Sequence, residues 1–132
     1  MTVNNGSPFD FSFVEGPTDT RPRRVSQSWG EFMARLAGCE IRGELGLEEY
    51  LRADRATRAA QKAGHGWIPA VFRAGGRRVD DDVLGTTAVV GDLDDGKLDR
   101  AEITRRLNGY AFGAHTGYSH APGSPRFRVV VP

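Results

Sequence analysis

The hydrophobic residues of this chain recur with a helical period in three stretches and with a strand-like pattern in several others. The clearest helical stripe has apolar side chains at positions i, i+3, i+4 and i+7, namely Trp29, Phe32, Met33 and Leu36. Ser28 precedes this stripe and Glu31 follows three residues later, which is the sequence of a capping box. The pattern predicts a helix that starts after Ser28, buries its aromatic stripe in the core and ends near Gly38.

Two further helices are predicted downstream. The first covers 47–63, a stretch rich in Ala, Arg and Glu that Gly64 terminates. The second starts after Asp99, with Glu102 as the other member of a second capping box, and extends to Leu107. Strand-like segments separate the three helices, which indicates a mixed chain of helices and strands.

The strongest strand prediction is a long apolar run from Val83 to Leu93, which ends among acidic residues. The apolar segment 67–72 contains Pro69, which cannot donate to a sheet ladder, so it is expected to be an edge strand or an extended loop. Three further strands are expected at 9–14, 110–116 and 126–131. The last two would form a hairpin, because the turn residues of 121–125 lie between them.

The composition is that of an ordinary globular chain, with 39% hydrophobic and 27% charged residues. The length of 132 residues suffices for one domain at most. Residues 1–24 mix Asn, Gly, Ser, Pro and Thr and are expected to be a flexible N-terminal lead-in, whereas 25–132 would form the domain. No apolar run could span a bilayer, and the N-terminus lacks a signal peptide. Cys39 is the single cysteine and cannot form an intramolecular disulfide, so a cytoplasmic localisation is expected.

The net charge of +1 says little about partners, but the cationic residues are clustered. They form three groups along the chain: Arg21, Arg23 and Arg24; Arg52, Arg55, Arg58 and Lys62; Arg73, Arg77 and Arg78. Each group taken singly is typical of a solvated surface. A nucleic-acid interface would be favoured only if the groups gathered on one side of a functional site.

The candidate chemistry lies in the segment Val-Val-Gly-Asp-Leu-Asp-Asp-Gly at 89–96. Asp92 and Asp94 are two residues apart, so on a strand both side chains project from the same face. Two carboxylates held so close repel each other unless a cation lies between them, and such oxygen ligands suit Mg²⁺ or Mn²⁺. A second polar cluster, Thr116-Gly-Tyr-Ser-His120, follows. Together the two clusters suggest metal-dependent chemistry on a phosphate.

The acidic motif alone is compatible with several functions. A calcium-binding EF-hand loop is excluded, because Gly91 and Leu93 would occupy positions that must supply oxygen ligands. A haloacid-dehalogenase-like phosphatase would use Asp92 as its nucleophile. Only 38 residues follow Asp94, too few for the parallel sheet of that fold, so it is a minor alternative. A solvated Asp-Asp-Gly turn and a two-metal nucleotidyl-transfer site remain.

Three motifs in order resemble the primase-polymerase domain of the archaeo-eukaryotic primase superfamily, in the form found in plasmid, phage and mobile-element replication proteins. They are Asp92-Leu-Asp-Asp-Gly, Thr116-Gly-Tyr-Ser-His120 and Pro125-Arg-Phe-Arg-Val-Val-Val-Pro132. The ordered set carries the resemblance, which covers about residues 25–132. It implies an α+β fold like that of RNA-recognition domains, with a mainly antiparallel sheet, helices on one face and a continuation beyond the C-terminus.

The resemblance implies that Asp92 and Asp94 bind the catalytic divalent metals, Mg²⁺ or Mn²⁺. His120 would belong to the catalytic set and contact the phosphates of the incoming nucleotide, as a donor with a tunable proton. Residues that would bind the nucleotide together with His120 are Ser119, Arg126 and Arg128. Asp95 would lie outside the metal site, as a turn residue or a support for the ligands.

The function implied by the resemblance is that of a DNA primase or polymerase, a nucleotidyltransferase of DNA replication with two divalent metals. Its partners would be nucleoside triphosphates, a single-stranded or primed DNA template, and a helicase or the missing C-terminal part, with no membrane partner. The third carboxylate of such domains belongs on a strand beyond Pro132, so these residues alone are expected to show little or no polymerase activity. The alternative is a non-catalytic module that binds nucleotide or single-stranded nucleic acid.

Overall fold

Short strands and helices alternate in the computed structural model, which describes residues 2–38, 40 and 42–132. The described helices are α1 (Trp29–Ala37), α2 (Leu47–Arg52), α3 (Arg55–Lys62) and α4 (Arg100–Arg106). The described strands are β1 (Pro8–Val14), β2 (Arg23–Ser28), β3 (Gly66–Ile68), β4 (Ala70–Phe72), β5 (Val83–Thr86), β6 (Val89–Leu93), β7 (Gly113–Thr116) and β8 (Phe127–Val131). The predicted α+β class is confirmed. Cys39, on which the expectation of a reducing compartment rests, lies outside the described residues.

The described strand pairs are all antiparallel, and they form three small sheets with the orders β2-β1-β3, β4-β5 and β6-β8-β7. The strands do not share one sheet because two apolar segments are interrupted. Pro69 separates β3 from β4, and its carbonyl accepts a hydrogen bond from the Thr87 N–H at 2.9 Å. Thr87 and Ala88 separate β5 from β6, so the prediction of one strand over 83–93 was wrong: it is two strands in different sheets.

The core joins α1 to strands β1 and β8. Its buried side chains are aromatic or β-branched: Phe9, Phe11, Trp29, Phe32 and Val130. The Phe32 ring centroid lies 4.6 Å from that of Phe9 and 4.9 Å from that of Trp67, so one helix residue connects β1 and β3. Because Phe9 and Phe11 belong to the central strand of their sheet, this part of the 1–24 segment is packed and is not a loose lead-in.

Helix α1 has the limits that its sequence predicts. The Ser28 hydroxyl accepts a hydrogen bond from the Glu31 N–H at 3.2 Å, and the Glu31 carboxylate accepts one from the Ser28 N–H at 2.7 Å. Gly38 follows the last turn, and its N–H donates back into the helix at 3.2 Å. The side of α1 that bears Met33 lies so close to β7 that a Cβ on Gly113 would collide with the Met33 sulfur.

The helix predicted over 47–63 is two helices, α2 and α3, with a break at Ala53 and Asp54. The Asp54 side chain accepts a hydrogen bond from the Thr57 N–H at 2.8 Å. Aspartate competes for backbone donors and is more stable as an N-cap than in a helix interior, so it starts α3 instead of continuing α2. Tyr50 is the buried residue of α2, whereas none of the residues of α3 is buried.

Helix α4 starts as predicted, because the Asp99 side chain accepts a hydrogen bond from the Glu102 N–H at 2.9 Å. The Glu102 carboxylate accepts hydrogen bonds from Arg105 and Arg106, one turn further along the helix. These bonds lower the pKa of Glu102 to about 2. Among the described helices, none is both long and apolar enough to cross a membrane.

Candidate functional site

The sheet β6-β8-β7 brings residues of the acidic and arginine motifs onto neighbouring strands. Asp92 of β6 pairs with Arg128 of β8, and Arg128 pairs with His115 of β7 on its other side. Residues directly opposite each other in an antiparallel sheet project from the same face. Asp92, Arg128 and His115 therefore form one line of side chains across the sheet, which we call the polar row. Two residues further along β8, Val130 is buried on that same face.

The centre of the polar row is a bidentate ion pair. Arg128 Nε donates to Asp92 Oδ1 at 2.6 Å, and Arg128 Nη2 donates to Asp92 Oδ2 at 3.0 Å. The hydrogen bonds from Arg128 hold the pKa of the Asp92 carboxyl below its usual value, with smaller contributions from the charges of Arg128 and His115. The same bonds raise the pKa of Arg128, and the negative charge of Asp94 adds to that effect. The guanidinium group of Arg128 therefore interacts with both carboxylates of the motif, with Asp92 through hydrogen bonds and with Asp94 through charge alone.

The remaining residues of the acidic motif differ in their surroundings. Asp94 follows the last residue of β6 and is exposed. The Asp95 carboxylate accepts a hydrogen bond from the Lys97 N–H at 3.0 Å, and Gly96 has a φ of 73°, so the chain turns tightly here. The structure thus places Asp92 and Asp94 at the end of β6 and gives Asp95 a role in the turn.

His115 belongs to the polar row, although no motif in the sequence singles it out. Its Nδ1–H donates a hydrogen bond to the carbonyl oxygen of Thr116, 3.0 Å away. Its Nε2 atom is buried and has no hydrogen-bond partner among the described residues. Only the register of β7 against β8 reveals this residue, and no single segment of sequence contains that register.

Ser119 lies in the segment between β7 and β8, where it contacts α2. Its hydroxyl oxygen is 3.1 Å from the hydroxyl oxygen of Tyr50. The preceding residue, Tyr118, packs against the Tyr50 ring with the centroids 4.9 Å apart, and its hydroxyl donates to the carbonyl of Arg42. The segment that carries Ser119 is therefore docked on α2 and on the residues that precede it.

His120 and Arg126 bind each other across the same segment. The His120 Nδ1 atom accepts a hydrogen bond from the Arg126 backbone N–H at 3.1 Å, and the His120 ring packs edge-on against Phe127 at 5.3 Å. Phe127 and Arg128 are adjacent in β8 and project from opposite faces, so His120 contacts the face opposite to the polar row. Arg126 precedes the first residue of β8, and the partner of Asp92 is Arg128.

The donors at the end of β6 suit a hard divalent ion. Asp92 and Asp94 supply carboxylate oxygens, and Mg²⁺ usually binds through one or two carboxylates while water and substrate phosphates complete its shell. Within 2–38, 40 and 42–132, no group of three or more His, Cys, Asp and Glu side chains is arranged to hold a metal ion. The two aspartates therefore fit as part of a ligand set that substrate, water or another segment completes.

The fold and the site together define a class of protein: a small α+β domain with two aspartates at a strand end and an arginine facing them from the next strand. The family is also shown by the sequence. The chain belongs to the family of VapE N-terminal domains, whose model matches residues 2–132. VapE proteins are associated with replication in phages and plasmids, so the expected relationship to mobile-element replication proteins is confirmed. No match was found among curated proteins or among solved structures.

Proposed function

We propose that this domain supplies the metal-binding carboxylates of a nucleotidyl-transfer site, of the primase-polymerase type, that acts in DNA replication. One observation carries the proposal: Asp92 and Asp94, at the end of β6, act on a single arginine of the neighbouring strand. Carboxylates beside a guanidinium can bind a cation and a phosphate at adjacent positions. Membership of a replication-associated family supports a nucleotide as the phosphate-bearing substrate.

Asp92 and Asp94 would hold Mg²⁺ or Mn²⁺ in this proposal. When bound, the metal would carry the triphosphate and activate the attacking hydroxyl. Two aspartates are a sufficient protein contribution for one such ion, because water and phosphate oxygens fill its other positions. A further carboxylate, supplied by another segment, would complete the site for a second ion.

Arg128 would exchange partners when the site is occupied. Its guanidinium neutralises Asp92 through both carboxylate oxygens, and Asp92 is one of the residues that would hold a divalent ion. The side chains of Arg128 and Asp92 are 44% and 51% exposed, so separating them costs about 1 kcal/mol or less. Once released, the planar guanidinium of Arg128 would bind two oxygens of a phosphate group.

His120 and Ser119, from the segment between β7 and β8, would bind the nucleotide together with the side chain of Arg126. Because the His120 Nδ1 atom accepts the Arg126 N–H, the neutral ring carries its proton on Nε2, and that N–H can donate to a phosphate oxygen. Ser119 would first have to release the hydroxyl of Tyr50. The proposed partners are nucleoside triphosphates, a DNA template and a helicase.

Nucleotide binding with and without metal tests this function. We expect calorimetry to show that the chain binds dATP with Mn²⁺ and loses that binding in EDTA. Asp92→Asn and Asp94→Asn should each weaken the Mn²⁺-dependent binding at least about tenfold, which is about 1.4 kcal/mol. The matched control is Asp81→Asn, an exposed aspartate of the short 3₁₀ helix Asp80–Asp82, and it should bind as the unaltered chain does.

Two outcomes decide the proposal. Primer extension that appears with Mn²⁺ and disappears in Asp92→Ala would establish the enzyme. Equal dATP binding with Mn²⁺ and with EDTA, in every variant, would contradict a metal site at these aspartates.

A second candidate is a non-catalytic module that binds nucleotide or single-stranded nucleic acid. The pairing of Asp92 with Arg128 favours it, because a carboxylate already neutralised by a guanidinium requires no metal. This candidate predicts DNA binding that is independent of metal, without extension. The phosphatase alternative requires a parallel sheet, and the described strand pairs are antiparallel.

A further inference from the structure

Helix α3 carries a line of cationic side chains that the proposed site does not use. Arg55, Arg58 and Lys62 occupy positions i, i+3 and i+7, so they share one side of the helix; we call them the cationic stripe. No residue of α3 is buried, and none of the three forms an ion pair with a described residue. The stripe therefore concentrates three positive charges outside any described ion pair, and one of them, Arg58, interacts electrostatically with the nearby Asp54 carboxylate.

The chain has 16 arginines, and six of those outside the stripe also form no ion pair with a described residue: Arg21, Arg35, Arg77, Arg78, Arg100 and Arg126. Eight others form ion pairs within the described residues: Arg23, Arg24, Arg42, Arg52, Arg73, Arg105, Arg106 and Arg128. A carboxylate occupies each of these eight guanidinium groups, so each would have to exchange partners before it could bind an external anion. The cationic stripe needs no such exchange, and it places three cations on one side of a single helix.

Helix stability does not explain the whole stripe. A cation in the last turn stabilises the helix dipole, as Lys62 does, but a cation in the first turn is unfavourable. Arg55 is the first residue of α3, and no acidic residue lies in that first turn. Asp54 precedes it as the N-cap, with its carboxylate bonded to the Thr57 N–H. Helix stability therefore accounts for Lys62 and, through Asp54, for Arg58, but it does not account for Arg55.

Hydrogen bonds hold helix α3 against the loop that precedes α2. The Gln61 side-chain oxygen accepts hydrogen bonds from the backbone N–H groups of Glu44 and Leu45 at 2.7 Å and 3.1 Å. The Arg42 guanidinium donates to the carbonyls of Lys62 and His65 at 3.5 Å and 2.8 Å. These bonds hold α3 against residues that also contact the segment between β7 and β8.

That segment connects the stripe to the candidate site. Tyr118 donates to the carbonyl of Arg42, and Ser119 is hydrogen-bonded to Tyr50 of α2. Ser119 and Tyr118 lie in the connection between β7 and β8, the strands that contribute His115 and Arg128 to the polar row. A short series of hydrogen bonds through Arg42 and Tyr118 therefore connects α3 to the segment between the two strands that carry His115 and Arg128.

We propose that the cationic stripe binds the sugar-phosphate backbone of the nucleic-acid strand on which the site acts. That the ligand is the nucleic acid of this site rests on the proposed function. That α3 binds an anion follows from the charge and exposure of its side chains alone. A membrane surface fits less well, because the apolar residues of α3 are alanines and none can insert among lipid chains. Contacts of this kind position a strand without reading its sequence.

Salt-dependent DNA binding tests the stripe. The variant Arg55→Gln/Arg58→Gln/Lys62→Gln is compared with Lys97→Gln/Arg105→Gln/Arg106→Gln, which removes three cations that are paired with Asp95 or Glu102. Fluorescence anisotropy of a labelled 20-nucleotide single strand is measured in EDTA across a range of salt concentrations. Three lost phosphate contacts should reduce the slope of log K against log salt by about 2. The control variant, with the same net charge, should keep the slope of the unaltered chain.

Several outcomes would overturn the proposal. They are an unchanged slope in the α3 variant, an equal loss in both variants, and a stripe-dependent binding to phosphatidylserine vesicles that exceeds the effect on DNA. Both variants should remain folded, because α3 contributes no buried residue to the core, and circular dichroism checks this. Mn²⁺-dependent dATP binding should be intact in the α3 variant and lost in Asp92→Asn, so failure of the stripe and failure of the proposed function give different results.

Discussion

Arg128 binds both carboxylate oxygens of Asp92 because the register of β6 on β8 places the two residues opposite each other. The sequence predicted that both residues are charged members of the site, since the acidic and arginine motifs are local patterns. It did not predict that the two charges compensate each other, because the partners are 36 positions apart and only strand register joins them. His115 was missed for the same reason.

Arg128→Gln should raise the pKa of Asp92 towards its usual value of 3.8, since the hydrogen bonds that lower it are lost. The pKa of Asp92 is depressed in the folded state. The pair therefore contributes stability above the unfolded pKa, and that stability is lost as the pH falls through the folded pKa. Carboxyl-carbon NMR titration measures the shift, with Arg126→Gln as the control that leaves the pair intact. Identical Asp92 titrations in the unaltered chain and in Arg128→Gln would show that the pair does not form in solution.

Helices α1 and α4 were predictable because their start signals are local: a serine or aspartate cap and a glutamate three residues later. The breaks between elements were predicted less well. Asp54 is an N-cap within a run of good helix formers, and Pro69 ends one short strand before the next begins. Both signals are present in the sequence, but the longer apolar or helical pattern around each of them favoured a single element.

Asp54→Ala distinguishes two helices, α2 and α3, from a single continuous helix over 47–63. With α3 starting at an aspartate cap, the substitution removes the hydrogen bond to the Thr57 N–H and should cost about 1 kcal/mol of stability. A single continuous helix would instead gain stability from alanine, the best helix former. Urea denaturation, followed by the helical circular-dichroism signal, measures the difference in stability. A gain in stability would contradict the break.

Gly30→Ala should destabilise α1, contrary to the usual effect of alanine in a helix. The added Cβ would lie 2.9 Å from the backbone carbonyl oxygen of Asn5, which also accepts the Gly30 N–H at 2.8 Å. Such overpacking costs about 1–3 kcal/mol, which exceeds the gain of about 1 kcal/mol in helix propensity. Gly85→Ala is the control, since nothing lies within 4 Å of its added Cβ. Urea midpoints that rise in both variants would refute the contact.

At the scale of the whole molecule, one core joins the N-terminal strand β1 to the C-terminal strand β8. Phe9 and Val130 belong to the same buried cluster, and α1 packs Phe32 between them and β3. The sequence predicted the aromatic stripe of α1 as core, and this is confirmed. It did not predict that β1 is the central strand of its sheet, because long-range pairing decides which aromatic segments are enclosed.

Phe32→Ala should cost about 3–5 kcal/mol, a large fraction of the 5–15 kcal/mol typical of a domain. The ring of Phe32 is 1% exposed and contacts the rings of Phe9, Phe11 and Trp67. Tyr110→Ala removes an aromatic side chain that is 66% exposed and should leave the melting temperature nearly unchanged. Similar melting temperatures for the two variants would contradict the position of the core.

Titration of the chain with Mn²⁺, followed by electron paramagnetic resonance of the free ion, tests the central claim without substrate or activity. We predict saturable binding that weakens at least about tenfold in Asp92→Asn and tightens in Arg128→Gln, which frees the Asp92 carboxylate. Arg126→Gln removes the same charge nearby and should bind as the unaltered chain does. The same Mn²⁺ affinity in the unaltered chain, Asp92→Asn and Arg128→Gln would contradict a cation site that competes with Arg128 for Asp92.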